Sequence, residues 1–264
     1  MKYCVHYHRN SPFRYFDEVD EIEVTFRKED LSVPAFLEKY ADKDIIMTVN
    51  KAEDIPLIAD LAEKYKNFRI RIDYYEQELK DAVLESNIPF FFMNLVDDWD
   101  TLTGMIKLHP TDVYIVNELG FELDRVSKFA HDNNVKIRVF PNVAQSSWGD
   151  TEGIKKFFIR PEDIDFYESY VDVMEFFGEE KKISVYYDIY AHDKQWFGKL
   201  NEILIDFNSD IDNRGIMPIF AESRVKCGKR CLKGHSCEIC PRIEHLAQTL
   251  IDHSLIVRPP KKDS

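Results

Sequence analysis

Near the C-terminal end, Cys227, Cys231, Cys237 and Cys240 follow one another with the spacing C-x3-C-x5-C-x2-C, so four of the chain's five cysteines fall in one short segment. Thiolates this close, on a loop that also holds Gly228 and Gly234, can converge on one soft metal centre. Disulfides are the competing reading. Against them, no apolar signal segment opens the chain, and a reducing compartment keeps such thiols reduced. Zinc and iron–sulfur both fit four cysteines. Zinc knuckles usually show two paired hooks, whereas here the central gap is five residues, and the Cys240-Pro241 pair is also seen in cluster-binding runs. The expectation is an iron–sulfur cluster, with zinc as the alternative. His235 lies inside the loop and could replace one sulfur.

A second set of chemically able residues closes a series of β-rich runs. It comprises His6, His8, Asn50, Asp73, Asn117, Asn142 and Arg160. Gathered on one rim, these imidazoles, amides and a guanidinium would make a polar binding mouth for an anionic or multiply hydroxylated small molecule. The asparagines could equally cap the helices that follow, and Arg160 could simply pair with Glu162 or Asp163. His6 and His8 also form the H-x-H pair that holds zinc in metal-dependent barrel hydrolases, with Asp73 or Glu118 as further ligands. Cys4 reads as a small core residue.

The elements that must position these residues alternate along the chain. Extended runs are predicted at 2–7, 21–26, 45–49, 68–73, 89–95, 112–116, 135–140 and 156–159. Helical patterns lie between most of them, at 34–40, 52–65, 76–85, 99–108 and 121–133. Strand alternating with helix implies parallel pairing, and eight units predict a closed (β/α)8 TIM-like barrel with short helices. A leucine-rich solenoid has a similar period, but leucines do not recur at fixed strand positions here. Strict alternation in the runs at 21–26, 68–73 and 135–140 predicts that Glu23, Arg69, Arg71, Lys136 and Arg138 point inward. There they would form an ion network with Glu23 and Asp73 as acids. Residues 1–178 are expected to form the barrel. Residues 179–264 would be an extension packed on it, with a strand at 183–190, helices at 194–207 and 242–254, and the cysteine loop between them.

Composition narrows the function classes. Hydrophobic content of 44% with 31% charged residues is that of an ordinary globular protein. A formal net charge of −13 argues against broad binding to nucleic acid or anionic membrane, although Lys226, Lys229, Arg230 and Lys233 make a local basic patch. No apolar run approaches the roughly 20 residues that span a bilayer. The expected location is cytoplasmic. No phosphate loop, dinucleotide fingerprint or nucleophile elbow is present. Oligomeric state is not legible.

Three stretches, taken with the cysteines, resemble the collagenase-like peptidase family and its ubiquinone- and RNA-hydroxylation relatives. They are Val116–Gly120, the segment from Phe158 through Tyr167 to Gly178, and Asp212–Pro218 leading into the cysteines. The resemblance implies a β/α barrel with a cysteine-ligated iron–sulfur cluster. In the hydroxylating relatives it also implies oxygen-independent hydroxylation of a ring or modified-base substrate. The compact cysteine run departs from relatives that draw their cysteines from separated places. A non-catalytic barrel scaffold with a structural zinc is the remaining alternative.

Overall fold

Period-two alternation along the strands separates two buried environments, one on each face of a single sheet. In the computed structural model, which describes residues 1–7, 12–26, 33–65, 67–144, 154, 156–216, 220–225, 227 and 239–252, nine strands pair in parallel. They are β1 (Lys2–Tyr7), β2 (Glu21–Thr25), β3 (Asp44–Thr48), β4 (Phe68–Ile72), β5 (Phe90–Phe92), β6 (Leu95–Val96), β7 (Asp112–Ile115), β8 (Lys136–Val139) and β9 (Val173–Glu175). Their order is β5-β4-β3-β2-β1-β9-β8-β7-β6. On the convex face Val5, Ile22, Val24, Met47, Ile70 and Ile137 join one large core with the helices. On the concave face Cys4, Ile46, Phe91, Tyr114 and Val173 form a second, smaller cluster. Each large apolar side chain fully buried in these clusters contributes about 1.5–3 kcal/mol.

The helices α1 (Val33–Lys39), α2 (Ile55–Ala62), α3 (Gln77–Ser86), α4 (Trp99–Ile106), α5 (Asn117–Gly120), α6 (Leu123–Asp132) and α7 (Ile164–Tyr167) connect successive strands. After β9 come α8 (Glu180–Tyr187), α9 (Phe220–Val225) and α10 (Ile239–Asp252). Local sequence sets their ends. Asp98 caps α4 by accepting from Thr101 N at 2.8 Å, and Asn87 closes α3 in the left-handed region at φ 58°, which asparagine tolerates. In α6 the buried Leu123, Val126 and Ala130 fall on one stripe facing the sheet.

Three expectations need correction. The barrel is not a closed eight-stranded one but a curled half-barrel of nine parallel strands, with β5 and β6 as its edges. Met93 and Asn94 interrupt what the sequence presents as one run, and the ladder is lost between the two pieces. The curl nevertheless carries β5 toward β7, because Thr111 N–H donates to Phe90 O at 2.7 Å. Second, 156–159 is no strand of this sheet; Val173–Glu175 takes the place between β8 and β1. Phe157, Phe158 and Ile159 are all buried, so periodicity could not separate a buried connector from a strand. Third, the run at 183–190 is helical, forming α8 and a π-helical turn at Asp188–Asp193. The stretch 194–207 is largely irregular, with one 3-10 turn at Leu200–Glu202. Burial of Tyr186, Tyr187 and Tyr190 against the core overrides the β propensity of that segment.

Candidate ligand site at the C-terminal rim of the sheet

Inward-facing polar side chains stack in two tiers along the concave face. The lower tier is closed by charge. Arg138, fully buried, donates from Nε to Asp112 Oδ1 at 3.0 Å, and its Nη2 pairs with Glu21. Arg69 Nη1 donates to Asp112 Oδ2 at 2.7 Å. Arg69 Nη2 lies 2.7 Å from Glu21 Oε1 but off the N–H axis, so charge rather than a directed hydrogen bond holds that pair. Burial pushes the Asp112 carboxyl up, but Arg138 and Arg69 outweigh it and hold the group below its ordinary value. The Phe91 ring, level with Arg71 on the neighbouring strand, has its centroid 4.6 Å from the Arg138 guanidinium carbon.

The upper tier is less evenly matched. Two buried carboxylates, Glu23 and Glu175, share the Arg71 guanidinium. Arg71 Nη2 pairs with Glu23, while Nη1 lies 3.2 Å from Glu175 Oε1 and 3.1 Å from the Tyr114 hydroxyl. Tyr114 O–H donates to Glu175 Oε2 at 2.6 Å. Thr48 O–H donates to Glu23 Oε1 at 2.6 Å, yet Glu23 Oε2 is buried with no hydrogen-bond partner. His6 Nε2 sits 3.0 Å from Thr25 Oγ1 and 3.7 Å from Glu23 Oε1. Burial first, and then the charge of Glu23, raise the Glu175 carboxyl above its ordinary 4.5, despite the opposing pull of Arg71, Arg138 and the Tyr114 hydrogen bond. Burial likewise pushes the Tyr114 phenol well up, so it stays a donor.

Above this tier lies a cavity of about 330 Å³ at the C-terminal ends of β1, β4 and β9. His6, Arg71 and Glu175 supply its polar floor, and Phe140, Phe177 and Gly178 its wall. Gly178 adopts φ +127°, a left-handed conformation that side chains rarely take. A larger, shallower compartment of about 880 Å³ adjoins it and shares Leu95, Phe140 and Phe177.

Of the sequence-read rim, His6 lines this cavity. His8 lies outside the described residues, as does the side chain of Asn117, which opens α5. Asn50 follows β3 as an exposed residue. Asp73 Oδ1 accepts from Asn94 Nδ2 at 3.0 Å and from Tyr75 N at 2.9 Å, shaping the turn into α3. Asn142 is buried and holds the backbone of Phe177 from both sides: Nδ2 donates to Phe177 O at 2.7 Å, and Oδ1 accepts from Phe177 N at 3.1 Å. Arg160 is buried and bidentate on Asp163, at 2.6 and 2.7 Å. The inward set Glu23, Arg69, Arg71 and Arg138 lies where alternation placed it, paired with Glu21, Asp112 and Glu175 rather than Asp73. Sequence reasoning missed Glu175, Tyr114 and Phe177. The signal was present in 173–177, where Val173, Glu175 and Phe177 alternate with Met174 and Phe176.

Cys231 and Cys237 lie outside the described residues; Cys227 and Cys240 are partly buried against the main core. Cys227 N–H donates to Arg224 O at 3.0 Å. Arg224 is a buried cation with no carboxylate within 4 Å among the described residues. Its guanidinium donates from Nη1 to Ile154 O at 2.8 Å and from Nη2 to Lys156 O, among the rings of Phe121, Phe158 and Phe220. Burial lowers its pKa, and Tyr167, Cys240 and Cys227 oppose that. An anionic thiolate centre fits beside such a cation. Among the described residues no three of His, Cys, Asp or Glu gather as a ligand set.

No family model matches the chain, and no curated protein does. Among solved structures the chain is similar to one described as a cube-shaped, highly porous protein cage designed by fusing symmetric oligomeric domains. The identity is 10%, the coverage 99% of this chain and 88% of that one, and the TM-score 0.45. At that distance the likeness bears on neither activity nor assembly. The chain's own geometry defines its class: an α/β protein with a curled, all-parallel sheet and helices between the strands. Among the described residues no helix is long and apolar enough to cross a membrane.

Proposed function

We propose that this protein is an enzyme that binds a small anionic or carbonyl-bearing molecule in the rim cavity and transfers a proton to it from Glu175. The observation that carries the reading is a buried carboxyl with a raised pKa on the floor of a cavity, beside a guanidinium it shares with a second carboxylate. Such groups are suited to general acid–base work. Protonated Glu175 donates a hydrogen bond to the ligand, Arg71 supplies positive charge and His6 orients the head group, while Tyr114 holds Glu175 from beneath through its O–H. The rim is also where parallel β/α sheets carry their chemistry. Acetate titrations across pH test this. Wild-type affinity should fall as pH rises through the raised Glu175 value, and Glu175→Gln should remove that dependence. Wild-type binding indifferent to pH would overturn the reading.

A second reading concerns the cysteines, and the buried Arg224 cation, with no carboxylate within 4 Å among the described residues, favours it. Cys227, Cys231, Cys237 and Cys240 would hold one centre, iron–sulfur or zinc. An iron–sulfur cluster would supply electron transfer, and zinc would clamp the loop. Oxygen-independent hydroxylation, as the family resemblance implies, belongs with the first of these; a structural zinc leaves the cavity chemistry to stand alone. Cys240→Ala should lose bound metal after anaerobic purification, while Cys4→Ala, altering only the concave-face cluster, should retain it. Full retention in Cys240→Ala would remove the centre.

A further inference from the structure

Phe177 and Leu95 are exposed to 57% and 44% although both line a cavity with a charged floor. Large apolar side chains left in a concave wall mark a surface that something apolar covers. Here the apolar set is ordered. Phe140 stacks on Tyr114 at 5.1 Å with the rings 7° from parallel, and Phe177 meets Phe140 edge-on at 5.9 Å. Asn142 holds the Phe177 backbone through both its N–H and its C=O, so the ring stands on a fixed base. Phe177, Phe140 and Leu95 form the wall common to the two compartments. A ligand with its head on Arg71 and Glu175 therefore has its body against this wall, with Lys156 and Asn201 bordering the larger space beyond.

From this we infer that the ligand is an elongated amphiphilic anion: a carboxylate-like head on the Arg71–Glu175 floor and an aromatic body across Phe140, Phe177 and Leu95, with Phe177 as the residue that selects for the body. The inference rests on the rim cavity being the binding site. Ring–ring geometry of the kind available at Phe177 favours aromatic over aliphatic bodies.

Calorimetric titration with acetate, benzoate and biphenyl-4-carboxylate tests it, on wild type, Phe177→Ala and Leu95→Ala. Unchanged thermal unfolding and circular dichroism show that each variant is folded; the two exposed sites give independent chances of that. The expected order is biphenyl-4-carboxylate tighter than benzoate, and benzoate tighter than acetate. Phe177→Ala should weaken biphenyl-4-carboxylate about three- to tenfold, the scale of one aromatic contact, and leave acetate unaltered; Leu95→Ala should act the same way, less strongly. Equal binding of all three acids, indifferent to both substitutions, would overturn the inference while the cavity reading stands. No binding of any of the three would overturn both.

Discussion

Glu175 and Arg138 show how the same concave face produces both reactivity and stability. Arg138 satisfies Glu21 and Asp112 together, with no water-facing surface. Arg138→Met keeps the bulk but leaves Glu21 and Asp112 with one guanidinium, that of Arg69, in place of two, and losing one partner of a buried network costs about 3–5 kcal/mol. Urea unfolding should show that loss; a change near zero would mean the network contributes packing alone. Glu175 behaves oppositely. Its folded pKa is raised, so the native state binds that proton more tightly than the unfolded chain. The resulting stability is fully present below 4.5 and is lost as pH rises through the raised value. The stability of Glu175→Gln relative to wild type should therefore climb with pH above 4.5, and a falling difference would contradict the assigned burial. Arg69, Arg71 and Arg138 were legible as inward residues because period-two alternation leaves a charged residue only two faces. Glu175 was harder to read: Val173, Glu175 and Phe177 alternate with Met174 and Phe176, but the strand is only three residues long and the two phenylalanines blur its end.

At the scale of elements, the strands up to β8 follow from sequence, apart from the break that divides β5 from β6, because most are followed by a recognisable helical pattern or turn. The reading fails where that rhythm fails. Phe157 to Ile159 are apolar throughout and buried, so their pattern matches a central strand although they serve as a connector. The segment at 183–190 is rich in tyrosine and β-branched residues, yet packs as a helix. Asparagine recurs at the ends of several runs and does different work at each: Asn94 ties the turn after β4, whereas Asn142 braces the cavity wall. Their shared spacing could not distinguish a ligand ring from structural braces; only the partners do. Asn142→Ala leaves Phe177 N–H and C=O without that partner, and a buried unsatisfied group costs about 1–3 kcal/mol. The variant should unfold earlier in urea and bind biphenyl-4-carboxylate more weakly than wild type. Wild-type values for both would show that the brace is dispensable. Gly215 has a comparable role farther along, since a Cβ there would lie 2.7 Å from the Ala247 backbone and push α10, which carries Cys240, off its seat.

Across the whole molecule, a curled parallel sheet brings residues far apart in sequence to one polar floor, as in Arg71 with Glu175 and Tyr114. The cysteine segment reads as a unit because its spacing is local; of its four cysteines the structure describes Cys227 and Cys240, both partly buried against the core. The cavity was legible only in part, since His6 announced itself as a strand-end imidazole while its floor depends on pairing between distant strands. The central claim is that Glu175 holds a proton-accepting and proton-donating carboxyl at a ligand-binding floor. Its most direct test is a carbon-detected NMR titration of the Glu175 side-chain carboxyl, assigned by comparison with Glu175→Gln, with and without acetate. The expected midpoint lies above 4.5 and rises further when acetate binds, because an added anion favours the protonated form. A midpoint at or below 4.5, unmoved by acetate, would contradict it.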